Sequence, residues 1–220
     1  MKGLFIFTTI CSLTSLFPLI LGISKWKHIN KMFFYFLIFI IVSSTIELAG
    51  RFLVIFHYYD LSRVLINFYL LFEGIIFILI FYDWGAFNYK YSQFYICVIL
   101  ICFWILDNFV LNKLSNLNTL YTIIYSIITV ILSTSVFQEA FFKNIKYSLK
   151  DPLTLIAFTF IINYSYRAVF ESLYLFKLDF SNSFYLSAFL ILIILNTFSN
   201  CTFTYAIYCM SLRKRLTSFY

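Results

Sequence analysis

Asn163-Tyr164-Ser165-Tyr166-Arg167-Ala168-Val169-Phe170-Glu171 is a polar and charged run inside residues 153–176, a segment otherwise apolar enough to lie in a bilayer. Asn163, Arg167 and Glu171 stand four apart, so on an α-helix they fall within roughly 80° of one face and climb it by about 12 Å. Charges at such depth cost a few kcal/mol on insertion scales, about 2.5–3.5 for a central Arg or Asp. They are therefore expected to face the protein interior and to find partners there. The fold turns on whether the rest of the chain supplies membrane helices that can provide them.

Composition says that it does. Hydrophobic residues make up 63% of the 220 and charged residues 11%, against about 45–50% and 25% in a soluble domain. A soluble fold could not hide that much apolar surface. With about 20 residues per crossing, the chain accommodates seven spans and no separate globular domain: 4–23, 32–56, 64–82, 93–111, 118–137, 153–176 and 184–212. The expected fold is an all-α integral membrane protein, a seven-transmembrane-helix bundle forming a single transmembrane domain over residues 1–220. The net charge of +7 does not imply a nucleic-acid partner, because the basic residues cluster at the ends of apolar runs and not on a soluble face. The lipid bilayer is the partner that composition implies, and the plasma (inner) membrane the expected location.

The five cysteines sit inside apolar runs without CxxC spacing, and His28 and His57 lie at segment ends. Zinc chemistry needs three or four clustered ligands, so no metal and no cofactor is expected. In span one, Thr8, Cys11, Ser12 and Ser15 form a small-residue face suited to close helix packing. No signal-peptide cleavage site follows this run, so it reads as a mature helix. Span two carries Ser43, Glu47 and Arg51 at four-residue spacing, and Glu four before Arg is the favourable order for a pair along the helix. Span three carries Asn67 and Glu73 on different faces, with Tyr69 one turn before Glu73 and able to donate to it. In span four, Asp107 and Asn108 read as helix-end residues, and span five reads as plain scaffold. Asp151-Pro152 opens span six, where Pro in the first turn costs nothing. Span seven carries Asn196 and Asn200.

Basic residues orient the bundle. The loops after spans one, three and five, together with the tail, hold ten (Lys25, Lys27, Lys31, Lys90, Lys143, Lys146, Lys150, Arg213, Lys214, Arg215), against four on the other side (Lys2, Arg63, Lys113, Lys177). The positive-inside rule puts the N-terminus outside and the C-terminus in the cytoplasm. Arg51 and Arg167 remain as buried bases.

Counted from the outer end of each span, Glu47, Glu73 and Arg167 fall in one layer, and Arg51 and Glu171 in a second one turn outward. Asn163 and Asn196 lie below them, and Asn67 near the outer rim. These eight residues outline a polar cavity in the outer half of the bundle, a ligand or ion pocket with an amide floor and a charged wall. Spans two and six carry charge pairs of opposite order, Glu47…Arg51 and Arg167…Glu171, which suggests a 3+1+3 pseudo-repeat of the kind found in some small transporters.

The Ile46-Glu47 element followed by Asn67-x-Tyr69-x-x-x-Glu73 resembles small seven-helix membrane proteins of Bacteroidota that have no assigned activity. The resemblance covers spans two and three and implies a seven-helix fold without a named ligand. Microbial rhodopsins need a lysine in the seventh helix, and residues 184–212 contain none. PQ-loop sugar transporters need a Pro-Gln pair, and neither Pro18 nor Pro152 is followed by Gln.

Three carboxylates against two guanidinium groups leave one negative charge over, which a low dielectric makes costly. One reading is binding, sensing or transport of a small polar or amphipathic solute, with the odd carboxylate, Glu73, as a proton or cation site. A scarcity of Gly and Pro argues against broken helices and so favours binding or sensing over vigorous alternating access. A second reading is a structural ion network in a subunit of a membrane complex, with a membrane-protein partner. A third is an intramembrane lipid-modifying enzyme using Glu47 or Glu73 as base and Arg167 on a phosphate. No catalytic residue can be assigned for the third, and a non-enzyme is favoured.

Overall fold

The computed structural model describes residues 2–87, 89, 91–116, 118–143, 151–176 and 180–217. Lys90, Lys146, Lys150 and Lys177, used above for orientation, lie outside the described residues. Helix is the only regular structure among those described: α1 (Lys2–Leu13), α2 (Leu16–Lys25), α3 (Phe34–Ile55), α4 (Tyr59–Asp83), α5 (Ser92–Ile105), α6 (Thr119–Lys143), α7 (Pro152–Leu175) and α8 (Asn182–Thr217). Seven stretches are long and apolar enough to cross a bilayer: Ile6–Lys25, Lys31–Ile55, Tyr59–Asp83, Ser92–Leu111, Thr119–Phe142, Pro152–Leu175 and Asn182–Met210. The chain is a multipass membrane protein. The outward face of the first span shows why: Ile6, Phe7, Ile10, Leu13, Phe17, Ile20 and Ile23 are exposed at helical spacing, an apolar stripe suited to a hydrocarbon surrounding.

Local chemistry sets the helix ends. Asp151 caps α7, its carboxylate accepting from the Thr154 N–H (3.1 Å) and hydroxyl (3.0 Å), with Pro152 in the first turn where its missing donor is not needed. At the end of α4, Gly85 has φ of 77° and the Ala86 N–H reaches back to the Phe81 carbonyl at 3.0 Å, a glycine-closed helix end. His57 does the same at the end of α3 with φ of 64°, and the Tyr58 N–H bonds the Leu53 carbonyl at 2.9 Å. That tight reversal lets α4 begin at Tyr59, earlier than the expected start at residue 64. Span five likewise runs past residue 137, through Gln138 and Glu139 to Lys143.

The first span departs furthest from expectation. It is two helices, broken at Thr14–Ser15, although a scarcity of Gly and Pro argued against broken spans. Hydroxyls make the break: Ser12 bonds the Thr9 carbonyl (2.9 Å), Thr14 the Cys11 carbonyl (2.6 Å) and Ser15 the Ser12 carbonyl (2.8 Å). Such local bonds compete with the helix ladder. Pro18 offers no N–H to the Thr14 carbonyl, which takes the Phe17 N–H instead at 3.1 Å. Neighbouring spans hold the break in place. Ser44 of α3 donates to the Ser15 carbonyl (3.0 Å), and the Asn200 amide of α8 donates to the Thr14 hydroxyl (3.0 Å).

The helices close a ring. The first span packs on α3 and α8, α3 on α4, α4 on α6, α6 on α7, and α7 on α8, while α5 leans on α4 and α6 from outside. The α6–α7 seam is the most extensive, and α6 carries the buried small residues Thr122, Ser126, Thr129 and Ser133 at helical spacing, a composition suited to close approach. The core is aromatic. Phe160 is fully buried and its ring lies 4.9–6.5 Å from those of Phe36, Phe39, Phe77, Phe81, Trp84, Tyr164 and Phe203, mostly edge to face, the arrangement ring quadrupoles prefer.

Candidate functional site

One turn beyond Phe160 on α7, the ring encloses a cavity of about 470 Å³ lined by the first span, α3, α4, α7 and α8. Neither α5 nor α6 contributes to its wall. Seven of the eight expected pocket residues line it: Glu47, Arg51, Glu73, Asn163, Arg167, Glu171 and Asn196. Asn67 does not. It is buried, and its amide donates to the Leu114 and Asn116 carbonyls at 2.7 Å each, while its own carbonyl accepts from the Trp104 indole at 2.9 Å. Asn67 thus fastens the connection between α5 and α6. The Thr8, Cys11, Ser12 and Ser15 stripe faces the cavity.

Glu73, 3% exposed, is the centre of one wall. Its Oε1 accepts from the Tyr69 hydroxyl (3.0 Å) and the Tyr164 hydroxyl (2.8 Å), and its Oε2 from the Tyr125 hydroxyl (2.5 Å) and Arg167 Nη1 (3.1 Å). Four donors fill the four lone-pair sites of an ionised carboxylate. Arg167 also lies over the Tyr125 and Tyr164 rings, 5.6 and 5.9 Å from their centroids, close enough for cation–π attraction. The pairing of Glu73 with Arg167 and the Tyr69 bond both follow the layer and spacing arguments. Tyr125 and Tyr164 were not anticipated, and Tyr125 gives the supposed scaffold span five a direct part in the site.

The other charges are arranged differently. Arg51 turns from Glu47 to the first span, donating to the Thr8 hydroxyl and carbonyl at 3.2 Å each, so the expected pair along α3 is replaced by a tie between helices. Glu47 lies beside the Ser15 hydroxyl and in the field of Arg51, and Glu171 lies in the field of Arg167. Among the described residues neither carboxylate forms an ion pair, and the Asn163 and Asn196 amides have no hydrogen-bond partner in the protein. All four of these polar side chains are half-buried and line the cavity.

Asp107, expected as a solvated helix end, is instead fully buried in the π-helical turn Leu106–Leu111. Its carboxylate accepts from the Asn112 amide (2.7 Å) and from the N–H of Tyr121, the third residue of α6 (2.8 Å). It is an anion at a helix N-terminus, a favourable placement, and it stands outside the cavity lining. Compared with protein-family models, with curated proteins and with solved structures, the chain matches none of the three.

Proposed function

We propose that this multipass membrane protein binds a small polar or amphipathic solute in the cavity among spans one, two, three, six and seven. The observation that carries the reading is the set of four half-buried polar side chains that line the cavity, Glu47, Asn163, Glu171 and Asn196; among the described residues neither carboxylate forms an ion pair, which leaves these groups within reach of a solute. A volume of about 470 Å³ falls within the roughly 300–1,000 Å³ range of small-molecule sites. The broken first span supports the same reading, because interrupted helices at membrane depth are tolerated where they line a cavity. The distribution of basic residues supports an N-terminus outside, a cytoplasmic C-terminus and a plasma-membrane location; the peripheral α5 is compatible with a 3+1+3 organisation.

The test is a melting screen of the purified chain in nanodiscs against chemically mixed solutes, repeated on Asn163→Leu and Asn196→Leu. A solute-dependent rise in melting temperature that both variants lose is expected. No shift from any solute sinks the reading. A structural role belongs beside it for one residue: the four donors on the Glu73 carboxylate favour a fixed strut there, not a ligand contact.

A further inference from the structure

We propose that α1 is a gate: it swings away from the bundle about Thr14–Ser15, opening the cavity sideways to the bilayer, and Arg51 is its latch. The motion stands on the packing of the first span; that it admits the solute rests on the binding reading above. The two halves of the span are held by different forces. In α2, Pro18 and Gly22 are buried, Leu19 and Leu21 pack on the aromatic core, and a Cβ on Gly22 would meet Leu37 at 3.3 Å and Ile207 at 3.8 Å. That close approach fixes α2 against α3 and α8. Among the described residues α1 places no apolar side chain in the core: Ile6, Phe7, Ile10 and Leu13 are exposed, and its buried side chains are Thr8 and Ser12. Apolar contacts between membrane helices compete with equally apolar lipid tails. The outward stripe of α1 stays in hydrocarbon wherever the helix swings, so apolar burial does not hold it shut.

Polar contacts therefore decide where α1 rests. At the pivot, Ser44 donates to the Ser15 carbonyl and the Asn200 amide to the Thr14 hydroxyl, while bonds from the Thr14 N–H to Cys11 and from the Ser15 N–H to Ser12 tighten the backbone into 3₁₀-type turns. Beyond the pivot, Arg51 grips α1 at Thr8 by two bonds of 3.2 Å. Arg51 has a second place to go. Glu47 lies one turn back on α3, in the order that favours a pair, and its carboxylate already sits in the field of Arg51. The Thr8 hydroxyl in turn can bond a carbonyl of its own helix. Two arrangements follow: with Arg51 on Thr8 the gate is shut, and with Arg51 on Glu47 it is released. Thr8, Cys11 and Ser12 line the cavity, so release removes that stretch of wall and joins the cavity to the leaflet around α1. Such a route selects the amphipathic members of the solute class.

The experiment is electron-spin distance measurement on the full chain in nanodiscs, with the native cysteines replaced. One label pair, Ile10→Cys with Ile55→Cys, spans α1 and α3; a reference pair, Ile23→Cys with Phe34→Cys, spans α2 and α3, and all four positions are exposed. The first pair is expected to show a minor, longer distance. Arg51→Met should raise its population by about 10-fold, the scale of one net hydrogen bond to a charged group. Glu47→Gln should lower it, because the released arginine loses its other partner, and the reference pair should not move. A single first-pair distance in the parent and both variants overturns the gate, as does an equal change at the reference pair; a rise with Glu47→Gln overturns the latch. The route is read in a chain that keeps Cys11 alone. There Arg51→Met should speed modification by membrane-permeant N-ethylmaleimide by about 10-fold, in step with the open population, while a charged methanethiosulfonate reagent gains nothing; equal gains overturn lateral opening. A flat melting screen beside a moving α1 overturns the binding reading and leaves the gate.

Discussion

Replacing Glu73 by Gln is the sharpest test of the wall built around that residue. If surplus negative charge lay on Glu73, neutralising it would be harmless. The structure gives the Glu73 carboxylate four donors, one of them the Arg167 guanidinium, so the same change should be costly. Gln keeps one carbonyl oxygen for two of the four donors and turns an NH₂ toward the other two. Arg167 is left without its counter-charge. Removing one partner of a buried pair costs about 3–5 kcal/mol. The Arg167 side chain is 24% exposed, toward the cavity, where water screens it, and the tyrosine hydroxyls can rotate to accept; both place the cost near the low end, about 3 kcal/mol. The assay is reversible unfolding in mixed micelles titrated with sodium dodecyl sulfate, followed by the fluorescence of Trp84 and Trp104. Combining Glu73→Gln with Arg167→Met should recover much of the loss, because no charge is then left unpaired. A Glu73→Gln protein within about 0.5 kcal/mol of the parent, which is the scatter of a neutral surface change, would refute the argument.

The remaining predictions use the same unfolding assay unless stated. Asp107→Asn should cost about 1–2 kcal/mol, since it removes the anion that caps α6. Gly74→Ala should cost about 1–3 kcal/mol by overpacking, because the new Cβ would collide with the Tyr121 hydroxyl; Tyr121→Phe in the same chain should relieve most of that loss. Asn67→Ala should destabilise by roughly 1–2 kcal/mol, having left two part-buried carbonyls short of a donor, yet leave any solute-dependent rise in melting temperature unchanged. Joint replacement of Thr14, Ser15 and Pro18 by Ala should join α1 and α2 into one straight helix, read as a longer spin-label distance between their ends; an unchanged distance would mean that these three side chains do not make the break and that the bond from Ser44 to the backbone at residue 15 is enough to hold it.

Seven spans could be read from the sequence because a bilayer demands long apolar runs, and these runs stand clear of the basic loops. Glu73 and Arg167 could be matched by depth alone, since both must be paired somewhere and lie at equal height. Tyr69 followed from its place one turn before Glu73. Tyr125 and Tyr164 were harder: among 18 tyrosines, the ones that reach Glu73 are selected by the rotation of α6 and α7 about their axes. A signal existed, because Thr122, Ser126, Thr129 and Ser133 repeat at helical spacing as a small-residue stripe on α6, and Tyr125 lies beside that stripe. The break in the first span was hidden because hydroxyl groups, not Gly or Pro alone, divert its backbone. Asp107 was misjudged for a related reason: a carboxylate near a span end reads as solvated until the neighbouring helix is seen to start upon it.

The bond between Arg167 and Glu73 joins residues 94 apart in sequence, and this bears on how the protein is made. At roughly 5–20 residues per second of synthesis, Glu73 is in place about 5–20 s before Arg167 leaves the ribosome. For about the first half of that interval, until Tyr125 follows 52 residues after Glu73, the only one of its four donors present is Tyr69, one turn away on the same helix. Tyr69 is therefore a chaperone in place for its own neighbour, and a Tyr69→Phe chain should reveal itself in the yield of inserted protein before it reveals itself in the stability of the finished one.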